Sequence, residues 1–109
     1  MSTITLLSNA TTASQTGPVQ NIQTLKILQH NRTFQATGQT TTSTGAAVIN
    51  VEVSNDNSNW ILMGSISLTL GTTTTTDGFV AQANWTYIRG KVSSITSGVG
   101  ASVNLYMGL

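Results

Sequence analysis

The sequence predicts an all-β fold, built as a single antiparallel β-sandwich or jelly-roll-like domain. Three observations lead to this prediction. β-Branched and aromatic residues recur in short segments separated by clusters of Gly, Asn, Ser and Thr, which is the pattern of strands and turns. No segment shows the apolar repeat of a helix. The chain has 109 residues, which is enough for one hydrophobic core but not for two.

The clearest strand is predicted at residues 47–53, with a hairpin turn after it. Ala47, Ile49, Val51 and Val53 share one face, while Val48, Asn50, Glu52 and Ser54 share the other. Because strand side chains alternate between two faces, the first set is expected to be buried and the second mostly exposed. Residues 54–59 form a turn signal, since Asn and Asp tolerate left-handed backbone and hydrogen-bond within their own turns. Residues 60–63 then resume the strand pattern.

The remaining strands are predicted, in order along the chain, at residues 3–7, 24–29, 33–37, 65–70, 79–83, 85–95 and 101–107. Two threonine-rich tracts, residues 40–44 and 72–76, are interpreted mainly as connections, although threonine also favours edge strands. Gly17 and Pro18 end a polar N-terminal segment. Residues 1–18 are therefore expected to form an N-terminal arm or a first strand, and residues 19–109 the β-sandwich domain.

Charged residues are scarce. Asp, Glu, Lys and Arg make up 6% of the chain and the formal net charge is +1, whereas an average soluble domain has about 25% charged residues. A low net charge leaves little repulsion between copies, so we expect a homo-oligomer or a component of a larger assembly. Lys and Arg number four, too few for a groove that follows a phosphate backbone, which argues against a nucleic-acid partner.

Cysteine is absent, so neither a disulfide nor a thiolate metal site can form. The N-terminal residues lack the basic start and the apolar stretch of a secretory signal, and no apolar run reaches the length of a membrane helix. We expect a protein that is made in the cytoplasm and has no membrane partner.

No catalytic or metal-binding set can be assembled from the sequence. His30, the single histidine, lies between two predicted strands without a nucleophile motif, and a turn residue is the simpler interpretation. The three acids, Glu52, Asp56 and Asp77, are interpreted as surface or turn residues rather than the carboxylate pair of a glycosidase. The oxygen-bearing side chains of residues 55–59 miss the spacing of a calcium loop. We predict a non-enzymatic protein with no catalytic, metal-binding or cofactor-binding residues and no cofactor.

The segment from residue 84 to residue 92 combines aromatic and basic side chains. Alternation places Trp85, Tyr87, Arg89 and Lys91 on one face and Ile88 with Val92 on the other. Together with Trp60, the aromatics of this face could stack on a sugar, as in a carbohydrate-binding module. The alternative is structural, with Trp85 and Tyr87 packed in the sandwich and Arg89 satisfying a carboxylate or loop carbonyls.

The second half of the chain carries an ordered set of motifs. They are a strand ending in Ser54-Asn55-Asp56, then Asn59-Trp60, then Trp85-Thr86-Tyr87-Ile88-Arg89, then Thr96-Ser97-Gly98, and a closing strand at residues 103–108. This order resembles the small β-sandwich structural proteins of tailed bacteriophages. The resemblance covers about the C-terminal half of the chain.

The resemblance implies a virion component with a β-sandwich fold, no enzymatic activity and often trimeric assembly. Head decoration (cement) proteins are the members it favours. Such proteins lie on the capsid surface, bind the lattice of major capsid protein and stabilise the head, while other members are neck or tail components. The implied partners are the major capsid protein or other virion proteins, together with further copies of the chain. Trp60, Trp85, Tyr87 and Arg89 match the pattern and are expected to be structural within it.

Overall fold

The computed structural model describes residues 3–21, 31–82 and 85–108. This part of the chain contains eight strands and no helix. The strands are β1 (Thr3–Ala10), β2 (Gln20–Asn21), β3 (Asn31–Gln39), β4 (Thr42–Ser54), β5 (Ile61–Leu70), β6 (Thr75–Gln82), β7 (Tyr87–Val99) and β8 (Ser102–Gly108). They form two four-stranded antiparallel sheets that pack face to face, which confirms the predicted β-sandwich. Sheet A has the order β1-β8-β3-β6, and sheet B has the order β2-β7-β4-β5.

The strands pair in a nested order. β1 pairs with β8, β2 with β7, β3 with β6, and β4 with β5. Two further ladders, β3 with β8 and β4 with β7, join these pairs into the two sheets. Among the described strands, the edges of sheet A are therefore β1 and β6, and those of sheet B are β2 and β5.

The core lies between the sheets and is built by alternation along their strands. On β4, Ala47, Ile49, Val51 and Val53 are buried, as predicted. Other buried apolar side chains are Leu6, Leu7, Ala10, Phe34, Ala36, Ile66, Leu68, Leu70, Ile88, Val92, Ala101, Val103, Leu105 and Met107. Because both sheets contribute to one continuous cluster, neither can bury its apolar face without the other.

Two contacts show how closely the parts pack. The rings of Phe34 and Phe79, opposite each other on β3 and β6, stack with centroids 5.1 Å apart. Gly90 lies at a close approach of the two sheets, since a Cβ at this position would be 2.8 Å from a methyl carbon of Leu105 and 2.9 Å from Cγ of Leu7. A larger residue at position 90 would therefore require these two leucine side chains to shift within a close-packed core.

The N-terminal segment belongs to the sandwich. β1 lies in sheet A beside β8 and contributes Leu6 and Leu7 to the core. Residues 11–18 run alongside β7 in space. The backbone N–H of Ser14 donates to the carbonyl of Val92, and the backbone N–H of Gly17 donates to the carbonyl of Gly90. Of the two predicted forms for residues 1–18, an arm or a first strand, the structure has the strand at Thr3–Ala10.

Several predicted boundaries were wrong. Residues 60–63 and 65–70 are not two strands, because β5 runs through Gly64 without a break and begins after Trp60. The threonine tracts are only partly connections, since residues 42–44 belong to β4 and residues 75–76 to β6. Asp77 lies within β6, opposite Ala36, rather than in a turn. The strand predicted at residues 24–29, and His30, lie outside the described residues.

Ser54 also departs from its prediction. It was assigned to the exposed face of β4, but only 1% of its surface is exposed. Its hydroxyl donates to Oδ1 of Asp56 at 2.8 Å and accepts from the backbone N–H groups of Asp56 and Asn57. The side chain is buried because it organises the turn that follows the strand.

Candidate functional site

The outer face of sheet B brings together Glu52, Arg89 and Trp60. Glu52 on β4 stands directly opposite Arg89 on β7, and Nε of Arg89 donates to Oε1 of Glu52 at 2.8 Å. The side chains of Arg89 and Glu52 are 22% and 14% exposed, so this ion pair is partly shielded from water. Cζ of Arg89 lies 4.1 Å from the centroid of the Trp60 ring, within the range of a cation–π contact. Arg89 therefore satisfies a carboxylate, as the structural interpretation predicted.

The other two aromatic residues of the predicted face lie in different places. Tyr87 is half-buried at the start of β7, two residues from Arg89, and lies opposite Ser54 on β4 and Asn21 on β2. Trp85 precedes β7 and packs against the buried core cluster. The strand alternation that predicted a shared face for Trp85 and Arg89 does not apply to Trp85, because that residue is not part of the strand.

The turn between β4 and β5 is held by the carboxylate of Asp56. This group accepts hydrogen bonds from the backbone N–H of Asn59, from Nδ2 of Asn59, from the backbone N–H of Ser58 and from the hydroxyl of Ser54. These bonds, with those from Asn59 the strongest, hold the pKa of Asp56 well below its usual range. The Asp56 carboxylate is thus a structural acceptor that closes the hairpin.

Asn55 connects this turn to the start of β7. Its Oδ1 accepts from the backbone N–H of Thr86 at 3.1 Å and from the Thr86 hydroxyl at 3.2 Å. The two contacts fix the turn beside the residue that precedes Tyr87. The three motifs of the predicted family pattern, Ser-Asn-Asp, Trp60 and Tyr-x-Arg, therefore meet at one end of sheet B.

A β-bulge in β5 turns Leu62 toward solvent. Leu62 is opposite Glu52 and Gly64 is opposite Val51, so Met63 is the extra residue between two ladder pairs. A one-residue shift moves the preceding side chains to the other face of a sheet. Leu62 consequently lies on the outer face beside Glu52, with 56% of its surface exposed. Ile61, the first residue of the strand, is 52% exposed.

We call the surface at the start of β5 the β5-edge surface. It is formed by Trp60, Leu62, Glu52 and Arg89 on the outer face of sheet B, together with Ile61, which is exposed at the first position of the strand, opposite Val53. β5 is a ten-residue edge strand that pairs with β4 on one side, and its sequence contains no charged residue and no proline. Edge strands with free backbone groups and apolar side chains are templates for pairing with another chain. The β5-edge surface therefore combines exposed apolar side chains with unpaired strand backbone, within the described part of the fold.

Sequence reasoning found Trp60 and Arg89 but missed Ile61 and Leu62. A signal was present, because two consecutive large apolar residues at the start of a strand cannot both point inward under simple alternation. The bulge that decides which of them is outward was not readable from the sequence, since Met63 and Gly64 fit a regular strand and a bulged strand equally well.

Among the described residues, the acidic side chains do not cluster into one site. Glu52 is paired with Arg89, and Asp56 is occupied by its own turn. Within residues 3–21, 31–82 and 85–108, no three His, Cys, Asp or Glu side chains lie close enough together to hold a metal ion. The same residues contain no helix with the length and apolarity that crossing a membrane requires.

Comparison with known proteins gives one likeness of fold. The chain is similar to the crystal structure of the PBSX exported protein XepA, with a TM-score of 0.62 and 12% sequence identity. The match covers 98% of this chain and 36% of that one, so the chain spans about a third of the length of XepA. At this identity the likeness concerns the fold alone. No protein-family model and no curated protein sequence matches the chain.

Proposed function

We propose that the protein is a non-enzymatic structural component of a bacteriophage virion, and within the virion a decoration (cement) protein that binds the lattice of major capsid protein on the outside of the head. The observation that carries the proposal is the β5-edge surface, where Ile61 and Leu62 are exposed beside an uncharged edge strand. The fold likeness to the PBSX exported protein XepA supports the proposal at the level of the fold. Three parts of the motif order that resembles phage structural proteins, Ser-Asn-Asp, Trp60 and Tyr-x-Arg, meet at this same end of sheet B.

The proposed mode of binding is edge pairing supported by apolar contact. A partner strand added along β5 would extend sheet B by main-chain hydrogen bonds. Leu62 and Ile61 would then be covered, and their apolar area would contribute to affinity. Arg89 and Glu52 already form an ion pair within the protein. The pair therefore adds contact area to the interface but no net charge. Binding of this kind depends little on salt.

The proposal includes assembly as a homotrimer. A formal net charge of +1 leaves little electrostatic repulsion between copies. Three copies that each present a β5-edge surface could contact several capsid subunits at once, and multivalent contact raises the overall affinity without stronger single contacts.

A binding experiment with particles tests the proposal. The purified protein is mixed with undecorated capsids, and separately with isolated tails, at low and at high ionic strength, and bound protein is measured after sedimentation. We expect binding to capsids at both ionic strengths, with bound copies in multiples of three per site. Absence of binding to capsids under both conditions would count against a decoration protein. Binding to tails alone would favour a neck or tail component, and loss at high salt would contradict the apolar mode.

A further inference from the structure

A polar cavity of about 260 Å³ opens on the outer face of sheet A, on the sheet opposite the β5-edge surface. It lies where β3 ends and β8 begins, beside the end of β1 and the residue before β6. Strands β1, β3 and β8 and the residue before β6 contribute to it. Its polar side chains are Asn9, Thr37, Gln39, Thr74, Ser102 and Asn104. In the sheet, Thr37 is opposite Asn104 and Gln39 is opposite Ser102, so these four side chains form two adjacent rows on one face.

The chemistry of the cavity is that of neutral hydrogen bonding. The residues that line it carry amides and hydroxyls, and Asp, Glu, Lys and Arg are not among them. An amide offers two N–H donors and a carbonyl acceptor, and a hydroxyl both donates and accepts. A sugar hydroxyl has the same dual character, whereas a metal ion would require carboxylates and a phosphate would require cations or clustered N–H groups. The donor set therefore matches a neutral polyhydroxyl ligand.

Hydrogen bonds within the cavity orient two of its three side-chain amides, those of Asn104 and Gln39. The backbone N–H of Asn9 donates to Oδ1 of Asn104 at 2.9 Å, and Nδ2 of Asn104 donates to the hydroxyl of Thr37 at 3.4 Å. The hydroxyl of Thr74 donates to Oε1 of Gln39 at 2.5 Å. Each carbonyl oxygen is thus held by the protein, and the orientation of each NH₂ group is set before a ligand arrives. Such preorganisation lowers the entropy lost on binding.

The backbone beside the cavity is shaped for this arrangement. Asn9 has a φ of 51°, in the left-handed region that non-glycine residues seldom adopt. It lies within an irregular stretch of β1, between the ladder pairs of Leu7 and Ala10. This irregularity turns the N–H of Asn9 toward Asn104. Strained backbone and bulges of this kind concentrate at binding sites.

An aromatic residue lies on the same face of β8 as Asn104, outside the residues that line the cavity. Tyr106 follows Asn104 by two positions on β8, so both point outward, roughly 6.6 Å apart along the strand. Tyr106 is half-buried and stands between Thr5 of β1 and Gln35 of β3. An aromatic ring beside amide and hydroxyl groups supplies the apolar contact that the C–H face of a sugar ring needs.

We propose that this cavity binds one ring of a neutral saccharide. The amides of Asn104 and Gln39 hydrogen-bond to its hydroxyl groups, and Tyr106 contacts the apolar face of the same ring or of the next sugar. The cavity and the β5-edge surface lie on different sheets, so a saccharide and a protein partner can be bound together, and either proposal can fail without the other.

Titration followed by protein nuclear magnetic resonance tests the site. The probes are galactose and N-acetylglucosamine, with N-acetylneuraminic acid as an anionic comparison, added to the isotope-labelled full chain. A single sugar ring in a shallow cavity is expected to bind in about the millimolar range. We expect at least one neutral probe to shift the backbone signals of Asn9, Gln39 and Asn104 progressively. N-acetylneuraminic acid is expected to leave these signals in place.

Two isosteric substitutions separate the site from general effects on the sheet. Asn104→Asp keeps an oxygen for the N–H of Asn9 but removes the NH₂ group, and we expect binding to weaken at least about tenfold. Asn50→Asp is the matched control, because Asn50 lies on the outer face of sheet B and its Oδ1 accepts from the Ser65 hydroxyl at 2.8 Å. The thermal midpoint of each variant checks that it folds. The proposal is overturned if neither neutral sugar shifts these signals, if the anionic sugar binds equally well, or if the two variants lose binding equally.

Discussion

The guanidinium of Arg89 is held between two partners, with Cζ 4.1 Å from the centre of the Trp60 ring and Nε 2.8 Å from Glu52. Trp60 ends the β4–β5 turn, while Arg89 lies within β7. The contact therefore joins the hairpin to the centre of sheet B. It also covers one face of Trp60, which leaves less of that ring free for a sugar than the carbohydrate-platform interpretation requires.

The Arg89–Trp60 contact is predicted to be energetically coupled. In a double-mutant cycle of Arg89→Met and Trp60→Leu, we expect a coupling free energy of about 1 kcal/mol from urea denaturation. Arg89→Met alone is expected to cost about 1–3 kcal/mol, because Glu52 loses a charge-assisted hydrogen bond. The control pairs Trp60→Leu with Lys91→Met, the next cation on the same face, and should be additive. Additive effects for Arg89 and Trp60 would contradict the coupling.

Asp56 is predicted to make stability depend on pH at the acidic end. Its folded-state pKa lies below the unfolded value of about 3.9. Its contribution is therefore complete above that unfolded value and is lost as the pH falls through the folded-state pKa. We expect Asp56→Asn to lower the thermal midpoint at neutral pH and to differ less and less from the native protein below about pH 4.

Asp77→Asn is the control for this measurement, since Asp77 lies in β6 and accepts one backbone hydrogen bond, from Gly78. Thermal midpoints of the three proteins are compared by circular dichroism across the acidic range. An Asp56→Asn deficit that stayed constant down to the lowest pH would show that the turn does not depend on the ionised carboxylate.

Gly90 is predicted to stabilise the fold by allowing a close approach of the sheets. An added methyl group would be 2.8 Å from Leu105 and 2.9 Å from Leu7, so Gly90→Ala is expected to destabilise the fold by about 1–3 kcal/mol. Gly71→Ala is the matched control, because no atom lies within 4 Å of its added methyl group. The free energy of unfolding of each variant is measured by chemical denaturation. Equal values for the two variants would mean that the leucines around Gly90 rearrange without loss of stability.

Leu62 is predicted to matter for partner binding and not for folding. Leu62→Lys adds a charge to the exposed end of β5 and should change the free energy of unfolding by no more than about 0.5 kcal/mol. In the capsid sedimentation experiment we expect binding to fall by more than tenfold, because a lysine charge opposes both apolar contact and edge pairing. Val99→Lys is the control, as Val99 is 61% exposed at the opposite end of sheet B. If both variants lost capsid binding equally, the result would show that β5 is not part of the interface.

Those parts of the fold that follow from local pattern could be predicted from the sequence. The apolar alternation of β4 from Ala47 to Val53 identified buried residues correctly, and the Asn-rich turn identified the hairpin. The threonine tracts were harder, because threonine suits strands and loops equally well. Nothing local could reveal the nested pairing of the strands, since it depends on contacts between residues far apart in the chain.

The candidate site was predicted in part, since Trp60 and Arg89 were singled out from the sequence. The pairing of Arg89 with a carboxylate was among the predictions, and the structure supplies Glu52 as the partner. Of the two interpretations of Trp85, the structural one agrees with its packing against the core, whereas the shared face with Arg89 does not apply because Trp85 precedes the strand. Leu62 was overlooked because its exposure depends on the bulge at Met63, and Ile61 because it is exposed only as the first residue of its strand. The neutral cavity was overlooked because Asn, Gln and Thr are common throughout this chain.

The nested strand order has a consequence during synthesis of the protein. β1 emerges from the ribosome first, yet in the described part of the fold its hydrogen-bonded neighbour is β8, which emerges last of the eight strands. Until then Leu6 and Leu7 have no completed sheet to pack in, and the nascent chain must carry them uncovered. Sheet A is therefore completed only after β8 has been synthesised. A ribosome that stalls before β8 leaves a fragment with exposed apolar residues, which is prone to aggregate and must be removed by chaperones or proteases.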